Sequence, residues 1–355
     1  MSNAFTYSPL WSGLFRDDEV AERFTGEVFA AKMIAVELAW TSALAKVGAV
    51  SKDSAARCET ELSSFSPDLL AFAQASERDG LPVVELVRQM KAEVAAEDAA
   101  AIHSGATSQD IVDTAMVLTL LEIFELLGRR LTNLLNQLDN LSAVHGKSSL
   151  TARTRMQAAL PTTVSTRVSV WKSLVSTQRG SLDALRSKIA FGQFGGAIGL
   201  RGEPAGKGEA AAKYASEALG LSHGPVWHAD RSRIVDVGNA FATLTGALAK
   251  IAQDLCLMSQ QGIDEVQFSD QGVSSAMPHK QNPVRAELVI AQARFASGLQ
   301  GTLSQAMIHE QERSGAAWAI EWLTLPTMAE TAGSASLSLS SLLGNVTRLG
   351  TEVPK

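Results

Sequence analysis

The chain has 355 residues, of which 46% are hydrophobic and 19% are charged, so it is long enough for one or two buried cores and is not disordered throughout. The net charge of -6 argues against a general nucleic-acid binder but stays compatible with an anionic substrate. Cys58 and Cys256 fit no metal spacing, and the N-terminal residues do not resemble a secretory signal. We therefore expect a cytoplasmic protein without a membrane span.

The first part of the chain, residues 1–101, is predicted to be a small N-terminal helical domain. Residues 17–47 favour a single helix that ends at Gly48, and shorter alanine-rich pieces follow it. Residues 102–345 are predicted to form a central domain of long helices, and residues 346–355 a short tail.

Apolar residues alternate at spacings of four and three in the central domain, which predicts long helices with one apolar stripe each. Further helices are expected to begin at Pro283 and after Gly315. No segment shows a convincing strand pattern, so the predicted fold class is all-α, a long antiparallel helix bundle. The number of stripes exceeds what one core needs, which favours a homo-oligomer. The stripe residues are Leu127, Leu131, Leu134, Leu138, Leu141; Val164, Val168, Trp171, Val175, Leu182, Leu185, Ile189; and Ile234, Val237, Phe241, Leu244, Leu248, Ile251, Leu255, Met258.

Residues 103–110, HSGATSQD, form the first of three polar segments and precede a long predicted helix. One interpretation is structural, with Thr107, Ser108 and Asp110 capping the helix. The other is functional, because free amides at a helix start bind anions, and His103 with the hydroxyls would complete a carboxylate pocket.

The second polar segment, residues 152–161, places Arg153, Arg155 and Gln157 before a helix that we expect to start near Pro161. On its own this pattern favours a solvated basic turn over a binding site.

The third polar segment, residues 272–283, lies between two predicted long helices and is bounded by glycine and proline. It brings together Ser274, Ser275, Lys280 and Asn282. Loops of this length in a compact bundle are usually functional or disordered.

Residues 274–283, SSAMPHKQNP, resemble the signature loop of the fumarase/aspartase superfamily, and the other two polar segments resemble its other shared regions in the same order. Within the superfamily, HSGATSQDIVDTA at 103–115, QFGGAIG at 193–199 and the residues at 312–322 are most similar to 3-carboxy-cis,cis-muconate cycloisomerases. Adenylosuccinate lyases are the next most similar group.

The resemblance implies proton transfer beside a substrate carboxylate, with Ser274 as the base in the elimination direction and Lys280 and His103 as the other catalytic residues. It also implies a homotetramer whose active sites are each built from three chains. No cofactor and no metal are expected, and the implied partner is a small tricarboxylate, with neither nucleic acid nor membrane. The implied substrate-binding residues are Thr107, Ser108, Gln109, Arg153, Arg155, Gln157, Ser275, Asn282 and Arg313.

Three positions depart from the superfamily pattern. Val273 stands where the usual glycine precedes the first loop serine, and Gly272 comes one place earlier. Arg155 replaces a histidine found in many lyases. The chain ends at Lys355, so the usual C-terminal domain is expected to be missing or vestigial.

The loss of the histidine favours lactone formation over elimination of an amine or hydroxide. A lactone opens by expelling a carboxylate, whose reference pKa is about 4, so no general acid is needed for this leaving group. The expected activity is therefore cycloisomerisation of 3-carboxy-cis,cis-muconate, in protocatechuate breakdown. The alternatives are a fumarate-releasing lyase such as adenylosuccinate lyase, a cycloisomerase for another muconate such as sulfomuconate, and a non-catalytic helical scaffold. Arg155 would then bind a substrate carboxylate, or it would simply pair with an acidic side chain.

Overall fold

The protein is represented by a computed structural model that describes residues 8–202, 204–270, 272–273, 277 and 281–351. It is 66% helical, and the all-α prediction is confirmed. Two short 3-10 helices, Ala99–Ala101 and Ser304–Met307, supplement the α-helices. The α-helices in the described part are α1 Ser12–Phe15, α2 Asp18–Glu22, α3 Gly26–Lys46, α4 Lys52–Leu62, α5 Leu69–Asp79, α6 Val83–Glu93, α7 Ser108–His145, α8 Val164–Ile189, α9 Gly208–Ala218, α10 Ser232–Met258, α11 Val284–Leu303 and α12 Ala316–Gly344.

The five longest predicted helices are all present, as α7, α8, α10, α11 and α12. The apolar stripes of α7, α8 and α10 are buried, and they form one hydrophobic cluster with the inward residues of α11 and α12. Trp171 and Phe241 are among its largest fully buried side chains. Burial of these stripes fixes the bundle, because each helix has only one face that gains from leaving water.

A second hydrophobic cluster lies around α3, α4 and α6. It also takes in Ile111 at the start of α7, Phe194, and the alanines of α9. Phe194 stacks on Trp40 of α3, with ring centroids 5.3 Å apart. This cluster joins the N-terminal helices to segments well beyond residue 101, while the division into three domains stays a prediction.

The single helix expected over residues 17–47 is instead two helices, α2 and α3. Asp17 accepts a hydrogen bond from the Val20 amide, and Thr25 accepts one from the Val28 amide. Each residue therefore begins a helix of its own, as side-chain oxygens do at helix starts.

Short antiparallel strand pairs are also present, which the sequence did not predict. Strands β1 Ser149–Thr154 and β2 Gln157–Thr163 form a hairpin; β3 Val266–Phe268 pairs with β6 Val346–Leu349; and β4 Gly272–Val273 pairs with β5 Gln281–Asn282. The helix expected near Pro161 begins at Val164, because Thr163 accepts the Thr166 amide and Pro161 lies within β2.

Helices α3 and α10 are long and apolar enough to cross a membrane by length and composition alone. In each of these helices, at least half of the most apolar 18-residue stretch is buried in the protein. Because core helices of soluble proteins meet the same criterion, this finding is weak evidence for a membrane span.

Candidate active site

The start of α7 is a fixed corner in which backbone amides and polar side chains converge. Thr107 has extended backbone angles and is the residue from which the helix begins. Asp110 reaches back to accept the Thr107 amide at 3.0 Å, so this helix start is capped as the structural interpretation predicted. Ser108, at the first helical position, is half-buried.

Asp110 also ties a glycine-rich loop to this helix start. One of its oxygens accepts the Gly195 amide at 2.7 Å and the His228 ring at 2.8 Å. The other accepts the Gly196 amide at 2.9 Å. Gly196 has φ +68°, and a β-carbon there would lie 2.9 Å from the Gly105 carbonyl oxygen. A glycine is therefore required at this contact for both conformation and space.

Arg313 closes the same corner from the segment before α12. Its guanidinium donates to Thr107 Oγ1 at 2.6 Å and to the carbonyl oxygen of Ala197. The side chain is exposed, and both of its partners are neutral. Its positive charge is therefore not neutralised by either contact, and it stays available for an anion beside the helix start.

His103 precedes this corner and has a left-handed backbone, with φ 60°. Its Nδ1 lies 2.6 Å from Oε1 of Glu37 in α3. Burial lowers the pKa of His103, but the hydrogen bond and charge of Glu37 outweigh it, so the pKa lies above its ordinary value. His103, Thr107, Ser108 and Arg313 are thus brought to one place by the fold.

Gln109 belongs to the interior below this corner. Its amide donates to the backbone oxygen of His228 at 2.9 Å and to Asp113 at 3.1 Å. The side chain is fully buried, so the geometry favours a positioning role over the predicted contact with substrate.

A fully buried ion cluster supports the floor of the corner. Arg231, whose side chain is 0% exposed, makes paired hydrogen bonds to both Asp113 and Glu321. The Trp318 indole donates to Asp113 at 2.9 Å. Burial raises the pKa of Glu321 to about 7, against the opposing hydrogen bond and charge of Arg231. One guanidinium therefore holds two carboxylates together in the core.

The β1–β2 hairpin carries the second group of predicted residues on a different surface. Arg153 pairs with the buried Glu265 at 2.8 Å, which leaves its charge neutralised. Arg155 and Met156 form the turn with φ values of 50° and 67°, and Arg155 and Gln157 are both exposed. Within the described ranges, no hydrogen bond connects this hairpin to the start of α7. In the single chain, Arg155 therefore lies in a solvated basic turn, which is the interpretation that the segment favoured on its own.

The signature loop is described only at its base. Asn282 pairs with Gly272 in the β4–β5 ladder, so the two ends of the loop are held side by side. A β-carbon on Gly272 would lie 2.5 Å from Val284, which explains a glycine one place before Val273. Ser274, Ser275 and Lys280 lie outside the described residues.

Several polar residues that organise the site were not predicted from the sequence: Glu37, Asp113, His228, Arg231 and Glu321. Asp110 was assigned only as a possible cap, whereas it also holds the glycine-rich loop. The one sequence feature that could have indicated a role for Glu37 is its position as an acidic residue on the apolar face of a predicted helix. The described residues include no cluster of three or more potential metal ligands, and the prediction of a metal-free enzyme stays a prediction.

The bundle and its polar corner are those of a lyase fold. The chain belongs to the lyase family of the fumarase/aspartase superfamily, whose model matches residues 15–298.

Among curated relatives, the chain is 32% identical over 347 residues to 3-carboxy-cis,cis-muconate cycloisomerase of Acinetobacter baylyi, covering 95% of this chain and 77% of that protein. It is 35% identical over 332 residues to nitrosuccinate lyase of Streptomyces davaonensis, covering 89% of this chain and 70% of that protein. The crystal structure of 3-carboxy-cis,cis-muconate lactonizing enzyme from Pseudomonas putida has a TM-score of 0.88 at 30% identity, over 96% of this chain and 77% of that one.

Proposed function

We propose that this protein is a cycloisomerase that converts 3-carboxy-cis,cis-muconate to its muconolactone. The observation that carries the proposal is the Arg313 guanidinium at the start of α7, which donates to Thr107 and Ala197, two partners that leave its charge un-neutralised. Ser108 and His103 lie in the same segment of chain, so this helix start offers amides, hydroxyls and positive charge to an anion. The two relatives named for this reaction, at about one third identity or slightly less over nearly the whole chain, support the choice of substrate.

In this reaction a carboxylate oxygen of the substrate bonds to an alkene carbon. The electron pair of the double bond moves toward the adjacent carbon, and the carboxylate on that carbon becomes a dianionic aci-carboxylate. A proton is then added to that carbon, which leaves a neutral carbon centre and a closed lactone. We assign this proton to Ser274, while Lys280, Asn282 and the α7 corner stabilise the negative charge that builds up on the carboxylate oxygens.

The exposed hairpin fits the same proposal if each active site is shared between chains. Arg155 and Gln157 are exposed to solvent in the single chain. We propose a homotetramer in which this hairpin enters a neighbouring site, where Arg155 binds the third carboxylate of the substrate. The cytoplasm and the protocatechuate pathway are the setting that this activity would have.

A spectrophotometric assay tests the function directly, because carboxymuconate absorbs in the near ultraviolet and its lactone does not. The expected result is loss of absorbance with the wild-type enzyme and a decrease of at least about 100-fold in kcat for Ser274→Ala, as for loss of a proton-transfer group. Ser269→Ala is the matched control, since Ser269 is exposed and, among the described residues, its hydroxyl hydrogen-bonds with Asn345 alone.

Fumarate release from adenylosuccinate or nitrosuccinate, without turnover of carboxymuconate, would replace this proposal by an ordinary lyase. Absence of activity on each of these substrates, with Ser274→Ala indistinguishable from wild type, would instead favour a non-catalytic scaffold.

A further inference from the structure

Glu37 is a buried acid, and within the described part of the chain its side chain hydrogen-bonds only with His103. Its side chain has 0% exposure, and Oε1 lies 2.6 Å from His103 Nδ1. The other oxygen, Oε2, is buried and has no hydrogen bond among the described residues. The other buried acids of the corner are satisfied differently: Asp110 accepts several donors, and Asp113 and Glu321 share Arg231.

A carboxylate buried without a cation is costly, because it leaves water for a medium that stabilises charge poorly. Among the described residues, neither lysine nor arginine pairs with Glu37, so the imidazole is the group there that is placed to supply the compensating charge. Protonation of His103 would give a charge-assisted pair at the observed short distance. The pair therefore stabilises the cationic form of the ring.

The geometry also fixes which ring nitrogen is already engaged. Nδ1 is engaged by Glu37, so the second ring nitrogen, Nε2, is the one left to donate. The backbone around the ring is held as well, because the Trp40 indole donates to the Ser104 carbonyl oxygen at 2.8 Å. The His103 side chain is 20% exposed, so the ring is not closed off from a ligand.

The charged groups around His103 come from three helices: Glu37 from α3, Asp110 from α7 and Lys91 from α6. Burial lowers the pKa of the ring and Lys91 adds to this, whereas Glu37 and Asp110 raise it and prevail. Asp110 has its own donors, so Glu37 is the acid whose removal should change the charge of the ring.

We propose that Glu37 is a positioning residue that keeps His103 cationic, with Nε2–H directed at a carboxylate of the substrate. This inference rests on the proposed function, since it specifies how the same corner binds a polycarboxylate. It assigns to Glu37 a role in substrate recognition without direct contact to the substrate.

The first experiment needs no catalysis. Nitrogen chemical shifts of the six histidines, measured by NMR from acid to alkaline pH, report the charge of each ring, and His103→Asn assigns the signal of interest. In the wild type we expect His103 to titrate above the ordinary histidine range, and in Glu37→Gln we expect its titration to move to lower pH. Glu85→Gln, which removes a buried acid paired with Arg88, is the matched control and should leave His103 unchanged.

The second experiment measures binding and turnover. Propane-1,2,3-tricarboxylate serves as the probe for binding by calorimetry, and carboxymuconate serves for kinetics. Loss of the His103 proton in Glu37→Gln should weaken probe binding and lower kcat/KM on the alkaline side of the profile, because a ring with a lower pKa loses its charge at lower pH. The alkaline limb of the kcat/KM profile should move to lower pH, and both effects should diminish as the pH falls.

An unchanged His103 titration in Glu37→Gln would overturn the proposal, as would a decrease in kcat/KM that is equal at all pH values. If Glu37→Gln does not fold, Glu37→Asp keeps the charge at a shorter reach and should retain a raised His103 titration with weaker probe binding. A shifted titration together with no turnover of carboxymuconate by the wild type would refute the proposed function and leave the Glu37–His103 pair in place.

Discussion

The start of α7 and the β1–β2 hairpin are both rich in polar residues, yet they differ in how many of these residues are buried and hydrogen-bonded within the chain. At the start of α7 most polar groups find partners within the chain, from the Asp110 contacts with the glycine-rich loop to the buried Arg231 cluster. On the hairpin, Arg155 and Gln157 are exposed, and Met156 at its turn is 70% exposed.

This difference separates two kinds of functional surface. The α7 corner is preorganised, so its residues contribute to stability as well as to binding, and substitutions there should affect both properties. The hairpin makes few contacts through its tip, so substitutions there should affect function alone. The following variants test that separation, from the largest expected effect on stability to the smallest.

Arg231→Met should have the largest effect. It leaves Asp113 and Glu321 buried without their shared cation, which typically costs about 3–5 kcal/mol for a broken buried ion pair. Chemical denaturation should show a correspondingly lower free energy of unfolding. Arg129→Met, which removes an exposed pair with Glu125 on α7, is the control and should stay within about 0.5 kcal/mol of wild type. Equal stability of the two variants would contradict the role assigned to the buried cluster.

Asp110→Asn should have an intermediate effect. The neutral amide weakens the hydrogen bonds from Thr107, Gly195, Gly196 and His228, and its own N–H groups face donors, so we expect a loss of about 2–3 kcal/mol. The kcat/KM for carboxymuconate should fall as well, since the glycine-rich loop is no longer fixed to the helix. Asp139→Asn, which disrupts an exposed pair with Lys172, should change neither property. A stable, fully active Asp110→Asn enzyme would show that the corner is not preorganised by this residue.

Arg155→Leu should have the smallest effect on stability, less than about 0.5 kcal/mol for an exposed residue, but should raise KM for the tricarboxylate strongly. Arg179→Leu on the exposed face of α8 is the control and should leave KM unchanged. An unaltered KM in Arg155→Leu would refute its role in binding the third carboxylate.

Mixing Arg155→Leu chains with His103→Asn chains extends this test to the assembly. If each site takes the hairpin from one chain and the α7 corner from another, hybrid oligomers regain intact sites and activity increases on mixing. No increase, despite subunit exchange shown by mass spectrometry, would place both residues of a site in the same chain.

The long helices were predictable because a single helix face is buried along most of its length. The stripes of α8 and α10 read from the sequence are the residues that the fold buries. In α11, by contrast, Phe295 is 53% exposed in the single chain, whereas Gln292 is buried. Periodicity identifies a helix well, but it does not identify the face when small and polar residues line the contact with α12.

The hairpin and the buried polar contacts were not predictable for a different reason. Strand β2 is largely exposed and β1 has a single buried residue, so no alternation of apolar and polar residues marks the two strands. Glu37 and His103 are 66 positions apart, and His228 and Asp110 are 118 apart. Such pairs depend on how helices are packed, which local patterns do not specify.

The close approach of Gly196 to the Gly105 carbonyl also bears on how enzymes of this fold can diversify. A larger residue at position 196 would have to push the glycine-rich loop off the helix start, and that movement would break the Asp110 contacts. The contact between the glycine-rich loop and the start of α7 therefore leaves little room for a larger residue. The exposed tip of the hairpin has no such close contact, so if it binds the third carboxylate as proposed, adaptation to a different substituent, such as a sulfonate, has its least costly route through positions 155–157.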